Sequence, residues 1–221
     1  MAARRKVGNL LGLAVLAYLV QGPMHPYELS RMLRDNGDAR SIKFNHGSLY
    51  MVVQQLAKAG FITEVETTRA GQRPERTVYA LTDAGRAELR DWLRELVAEP
   101  EHEYPSFVSA LSLIGALHPI DVTGLLQARL ARLAERRAEI QKMVDDALVA
   151  GVPELFLIEE EYRLAQVDTE AGFVERLVAR IADPETGWAS AWAQFHEAMA
   201  AGGAPTPTTP AAPTTGPAGP A

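Results

Sequence analysis

The chain contains no cysteine among its 221 residues. Disulfides, thiolate zinc sites and cysteine nucleophiles are thereby excluded, and a reducing compartment is a compatible setting. Long apolar runs are missing as well. The segment Leu10 to Val20 follows Arg4, Arg5 and Lys6 and has the outline of a signal peptide. It is too short to span a bilayer, and the Gln21-Gly22-Pro23-Met24-His25 behind it offers no small-residue cleavage site. We read it as a buried helix and expect no membrane partner. Catalytic signatures are also lacking. The histidines His25, His46, His102, His118 and His196 are scattered, without HExxH spacing, and neither a glycine-rich phosphate loop nor a nucleophile elbow is present. Glu159-Glu160-Glu161 reads as a solvated helix face rather than a cation site, and Asp83 as a helix cap rather than a catalytic acid. No catalytic residue, metal or cofactor is expected, so the chain reads as a binding protein and not as an enzyme.

An excess of positive charge is the last thing missing, for the formal net charge is −6. That balance alone argues against a nucleic-acid partner, but the charges are unevenly placed. Residues 1–81 hold 11 Lys/Arg against 6 Asp/Glu, a net of +5, and residues 82–221 hold 11 against 22, a net of −11. A locally basic domain can grip phosphates although the whole chain is acidic. Ordinary surface charge gives the same excess, so this distribution permits such a partner without requiring it. The rest of the composition, 47% hydrophobic and 23% charged, supplies a core for one domain or two small ones.

Apolar spacing then organises the chain. Leu10, Leu11, Ala14, Leu16, Ala17 and Val20 follow helical periodicity, and Gln21-Gly22-Pro23 ends that helix. Pro26 suits the first turn of a second helix, since its missing N–H would be unpaired there anyway. Asn36-Gly37 stops it. Asn45 is placed to cap a third helix with Leu49, Val52, Val53 and Leu56 on one face, and Gly60 to end it. Phe61 to Val65 and Arg76 to Leu81 read as two strands of a hairpin with a long polar tip. Thr82 or Asp83 caps a fourth helix toward Ala98, with Leu89, Leu93 and Leu96 as its apolar stripe and Trp92 flanking it.

Helix, helix, turn, helix, hairpin is the order of a winged helix-turn-helix, in which the third helix enters the DNA major groove and the hairpin tip touches backbone or minor groove. If Leu49, Val52, Val53 and Leu56 face the core, then His46, Gly47, Ser48, Tyr50, Met51, Gln54, Gln55 and Lys58 face outward. Gly47 and Ser48 are small and near a helix N-terminus, where backbone N–H groups favour a phosphate. Tyr50 and Gln54 offer hydrogen bonds to phosphates or base edges, and Gln pairs well with adenine. Lys58, Arg69, Arg73 and Arg76 are candidate phosphate or minor-groove contacts. A solvated helix face and loop would look similar, and the wing arginines tip the reading toward DNA.

Three stretches in this region resemble the PadR family of regulators. They are Leu11-Gly12-Leu13 with Gly22-Pro23-Met24-His25-Pro26-Tyr27-Glu28-Leu29, then Gly47-Ser48-Leu49-Tyr50 with Leu56-Ala57-Lys58-Ala59-Gly60-Phe61-Ile62, then Arg73-Pro74-Glu75-Arg76-Thr77-Val78-Tyr79-Ala80-Leu81-Thr82-Asp83-Ala84-Gly85. The likeness covers about residues 8–90. Pro26 stands where the family usually has Gly, and His46 where Pro is common; His46 puts one DNA contact in question. The resemblance implies a homodimer that represses genes at a palindromic operator on double-stranded DNA, dimerises through its C-terminal helices and, in some relatives, releases DNA on binding a small aromatic ligand. A cytoplasmic, nucleoid-associated location follows.

Behind the winged helix the chain reads as all-helical. A short helix is expected from Ser106 to about Ala116, then a long one from Pro119 in which Leu126, Leu130, Leu133, Arg137, Ile140 and Val144 form a heptad seam. After the turn Gly151-Val152-Pro153 comes another long helix, with Leu155, Ile158, Tyr162, Ala165, Phe173 and Leu177 on one side. We assign Leu126, Leu130, Leu133, Ile140, Val144, Leu155, Ile158 and Tyr162 to dimerisation; a helix packed within its own chain would show the same seam. Trp92 and Phe107 are candidate effector contacts, because aromatic faces suit planar ligands, although core or dimer packing uses aromatics too. From Gly202 onward only Gly, Ala, Pro and Thr occur, too little apolar surface to order a segment. The expected fold is therefore mainly α with a small β-wing: a winged-helix domain over 1–98, a helical dimerisation and effector region over 99–200, and a disordered tail over 201–221. Two other roles fit the same elements, an interaction module that binds a protein partner through its C-terminal helices without reading DNA, and a nonspecific architectural DNA binder.

Overall fold

The computed structural model describes residues 5–42, 44–68, 76–185 and 187–202. The fold is mainly helical with one small antiparallel hairpin, and it divides after Glu103 into two compact units. The first contains α1 (Leu10–Tyr18), α2 (Pro26–Asp35), a 3-10 turn (Asp38–Arg40), α3 (His46–Lys58), β1 (Ile62–Thr68), β2 (Arg76–Leu81) and α4 (Asp83–Ala98).

Local chemistry sets these boundaries. Asn9 accepts a hydrogen bond from Leu11 N and starts α1. His25 caps α2 through Nδ1, which accepts from Tyr27 N at 3.0 Å, while Glu28 accepts from His25 N at 3.0 Å. Asn45 and Ser48 cap α3 reciprocally: Ser48 N donates to Asn45 Oδ1 at 2.8 Å and Asn45 N donates to Ser48 Oγ at 2.9 Å. Each such cap satisfies backbone donors that a helix start leaves free. Gly60 ends α3 at φ +80°, a conformation that costs other residues more.

The core of this unit is one cluster. Leu11, Val15, Leu16 and Leu19 of α1 meet Leu29 and Leu33 of α2 and Leu49, Val52, Val53 and Leu56 of α3. β1 and β2 pair from Ile62↔Leu81 to Thr68↔Arg76 with a bulge between Glu64 and Glu66. Met24 bridges to the other edge of β2, exchanging two 3.0 Å backbone hydrogen bonds with Tyr79. On α4 the buried line is Gly85, Leu89 and Trp92, whereas Leu93 and Leu96 are 43% and 37% exposed. The stripe expected from the leucines is thus displaced, and Trp92 is central instead of flanking. The cause is Gly85: a Cβ there would lie 2.0 Å from the Phe61 carbonyl oxygen, so glycine alone lets the helix close on the end of α3 along this line. Arg5 covers the Trp92 ring, 5.3 Å from its centroid, and is held by Glu88 at 2.7 Å and by Glu95.

The second unit holds α5 (Ser106–Ser112), a 3-10 turn (Ile114–Ala116), α6 (Pro119–Val149), a second 3-10 turn (Glu154–Leu157), α7 (Ile158–Ala182) and α8 (Ala189–Ala200). Gly151, at φ +83°, reverses the chain so that α7 returns along α6. Val122 and Leu126 pack with Val174 and Ile181, and Leu133 and Ile140 with Val167. Leu130 packs partly buried against the first cluster and Val144 against the second. The heptad residues of α6 therefore meet α7 of their own chain, the alternative that the pattern left open. Arg129–Glu170 at 2.6 Å and Arg137–Asp168 at 2.7 Å tie the two helices at the edge of the seam. Leu155, Ile158 and Tyr162 are instead exposed, at 69%, 56% and 65%. Packing also brings His118 and His196 to 5.5 Å, a pair that sequence spacing does not reveal. Among the described residues no helix is long and apolar enough to cross a membrane. Of the expected tail, residues 203–221 lie outside the described residues.

Candidate nucleic-acid interface

α3 divides into two faces. Leu49, Val52, Val53 and Leu56 are at most 2% exposed. His46, Gly47, Gln54, Gln55 and Lys58 lie on the exposed side, with Met51 among them. Tyr50 is half-buried, its ring 4.8 Å from that of His46. The pair fixes an aromatic edge at the start of the helix, just where free N–H groups and the helix dipole favour an anion.

One of the expected contacts is qualified by this geometry. The Ser48 hydroxyl is committed to the cap, accepting from Asn45 N and donating to Asn45 O at 2.9 Å. It therefore shapes the helix start, and its own backbone N–H is also used by Asn45. Gly47 stays open: a Cβ there would meet only Asn45 Oδ1, at 3.4 Å, so its place on the exposed turn allows close approach of a backbone. Arg69 and Arg73 lie outside the described residues, and Arg76 opens β2 opposite Thr68.

Sequence reasoning passed over a further part of this face. A cleft of about 290 Å³ lies between the start of α2, α3 and β2, lined by His25, Tyr50, Gln54, Thr77 and Tyr79 among others. Strand alternation puts Thr77 and Tyr79 on one side of β2, which was the available signal. Burial raises the Tyr79 pKa, and the Glu64 carboxylate adds to this, so the phenol stays a neutral donor and acceptor. Tyr27, at the first turn of α2, is 58% exposed. Behind the face, the Tyr18 hydroxyl donates to Asp38 and accepts from Asn36 Nδ2 at 2.8 Å. This network pins the turn between α2 and α3.

A three-helix core whose last helix shows a polar face, bridged to a two-stranded wing, defines a winged helix-turn-helix protein. Comparison with known proteins narrows the class. Residues 15–91 match the sequence model of the transcriptional regulator PadR-like family. The chain is 30% identical over 144 residues to the negative transcriptional regulator PadR of Bacillus subtilis, covering 63% of this chain and 78% of that protein. Crystal structures of Bacillus subtilis PadR share the fold. In complex with operator DNA the TM-score is 0.65 at 22% identity, over 78% of this chain and 99% of that one. In complex with p-coumaric acid it is 0.66 at 20% identity, over 79% and 100%. The chain belongs to the PadR-like family of transcriptional regulators.

Proposed function

We propose that the protein is a homodimeric repressor that reads a palindromic operator and lets go of it when a small ligand binds. The observation that carries the reading is the exposed face of α3, with Gln54 and Lys58 opposite a fully buried apolar face and Tyr50 and Gln54 sharing a cleft with the wing residues Thr77 and Tyr79. Gln54 reads base edges, while Lys58, Arg69, Arg73 and Arg76 hold phosphates. The name of the Bacillus subtilis relative as a negative regulator and its operator complex support this assignment. The protein acts at the nucleoid, in the cytoplasm.

Dimerisation is assigned to the second unit, where Leu155, Phe156, Ile158 and Tyr162 form an exposed apolar edge at the junction of α6 and α7. A dimer sets two α3 helices at a fixed separation, matched to half-sites about one DNA turn apart. A ligand that prefers another separation shifts the population away from the DNA-competent form. The p-coumaric acid complex of the relative supports a small aromatic effector. Trp92 enters this reading only indirectly, since it is 4% exposed beneath Arg5. Phe107 is half-buried, stacked under Arg129 at 3.6 Å.

The test is fluorescence anisotropy with DNA from upstream of the protein's own gene, against random DNA, at two salt concentrations. Tight binding to the first alone, weakening with salt, is the expected result. Equal weak binding to both DNAs would replace the regulator with an architectural binder. Absence of binding to either would move the protein-interaction role to the front.

A further inference from the structure

The rings around the cleft between α2, α3 and the wing are not equally free. Its lining brings His25, Tyr50 and Tyr79 together with Gln54 and Thr77. His25 Nδ1 is committed to the cap of α2, accepting from Tyr27 N. The Tyr79 hydroxyl donates to Glu64 Oε1 at 3.5 Å. No hydrogen bond among the described residues engages the Tyr50 hydroxyl. On the regulator reading, Tyr50 is therefore the phenol of this cleft that is left to meet DNA.

With its hydroxyl unbonded, the Tyr50 side chain takes its direction from ring contacts. Long side chains on a helix lean toward its N-terminus, and one turn back along α3 stands His46. The two rings lie 4.8 Å apart at 59°, within the range in which tilted aromatic pairs attract. Tyr79 is the second ring neighbour: after burial and Glu64, Tyr50 is a further group that raises the Tyr79 pKa. His46 is exposed, and its imidazole has no other ring contact, hydrogen bond or ion pair among the described residues. The reciprocal cap of Asn45 and Ser48 fixes the turn from which His46 projects. The imidazole is thus presented from a firm base to one neighbour, the Tyr50 ring.

We propose that His46 is a positioning residue: its imidazole keeps the Tyr50 ring turned into the cleft toward the wing, so that the Tyr50 hydroxyl is presented to DNA, and it does not itself touch the nucleic acid. A histidine that grips a phosphate acts as a cation, and binding then strengthens on acidification. A histidine that acts through a neighbouring ring is replaceable by another flat aromatic side chain. The proposal rests on the DNA-reading role of α3 and gives one of its outward residues a task different from those of Gln54 and Lys58.

Full-length His46→Ala, His46→Phe, Tyr50→Phe and the double variant His46→Ala/Tyr50→Phe test it, each checked for an unchanged thermal midpoint. In anisotropy with the upstream DNA, His46→Ala should bind about fivefold more weakly than the parent, roughly 1 kcal/mol. His46→Phe should bind as the parent does. The double variant should bind no more weakly than Tyr50→Phe, since a residue that acts through the hydroxyl then has nothing left to position. Between about pH 8 and about pH 6 the parent and His46→Phe should respond alike, a comparison in which the other histidines cancel. Additive losses in the double variant, failure of His46→Phe to restore binding, or a gain on acidification that His46→Phe lacks would each overturn the proposal. A second arm needs no DNA. In protein carrying 3-fluorotyrosine, the Tyr50 fluorine line is identified by its absence from Tyr50→Phe. Its solvent isotope shift should show greater exposure in His46→Ala and not in His46→Phe. If the parent binds no DNA, the regulator reading falls, and the fluorine line still decides whether His46 holds Tyr50; an unchanged line in His46→Ala overturns the proposal in either case.

Discussion

Lys58 and Gln54 lie on the same exposed side of α3 but are assigned different tasks, and two substitutions separate them. Gln54→Ala should lower affinity for the operator by about 1–3 kcal/mol and leave random DNA untouched, because a base-edge pair discriminates. Lys58→Ala should weaken both DNAs alike and reduce the salt slope by about one. Anisotropy across a salt series reads both. Tyr18 makes a different prediction. Burial, and then the hydrogen bond it donates to Asp38, push its pKa up to about 12, against an ordinary value of 10.0. The folded state keeps the phenol proton to higher pH than the unfolded one. The contribution to stability is therefore full below pH 10.0 and lost as pH rises toward about 12. Urea titrations should show Tyr18→Phe less stable than the parent at neutral pH, and the gap closing through that alkaline window. The cap at Asn45 was legible in the sequence, and that of α4 was narrowed to Thr82 or Asp83, of which Thr82 makes it, because a cap needs only neighbours within a few residues. The Tyr18–Asp38–Asn36 network was not, since its members come together only when α1 packs behind the turn.

Helices and strands were legible wherever the pattern is local. The expected helices and strands form, and glycine ends them where expected at Gly60 and Gly151, but the helix expected to Ala116 stops at Ser112 before a 3-10 turn, and Glu154–Leu157 is a 3-10 turn ahead of α7. What the pattern withheld is the identity of the partner. Leu126, Leu133 and Ile140 recur every seven residues, as do Val167, Val174 and Ile181 on α7. A heptad seam looks the same whether its complement lies in the same chain or in another; the turn at Gly151 decides for the same chain. Similarly, the α4 stripe was misplaced because leucines were weighed above the one tryptophan, and because the contact that seats the helix is made by a glycine with no side chain to announce it. The seam gives a prediction at this scale. Ile140→Ala should cost about 2–5 kcal/mol in unfolding free energy, since Ile140 is 3% exposed. Arg137→Ala should leave the midpoint unchanged, because its pair with Asp168 is exposed and surface pairs contribute little.

For the molecule as a whole, two properties act together. Basic and acidic residues are segregated along the chain, +5 over residues 1–81 and −11 over the rest. The acidic remainder opposes binding to DNA at large and leaves association to the basic face; on the proposed dimeric reading, two half-sites engaged at once supply the affinity. Tyr162→Asp combined with Phe156→Asp changes two side chains that are 65% and 70% exposed. Helix content by circular dichroism should stay the same. Sedimentation should then report a monomer, and operator affinity should fall by about 100-fold or more, the size of a lost second attachment. A double variant that remains dimeric and binds as before would reject the assigned edge.

The bridge between Met24 and Tyr79 has a consequence for how information leaves the DNA. It welds the root of the wing to the segment that launches α2, and that segment is capped into the helix by His25. On the proposed reading, the wing is thereby held to the helical core that also carries α3. If α3 and the wing both contact DNA as proposed, operators whose groove width suits one but not the other should bind less tightly, a selection by shape as well as by base contacts.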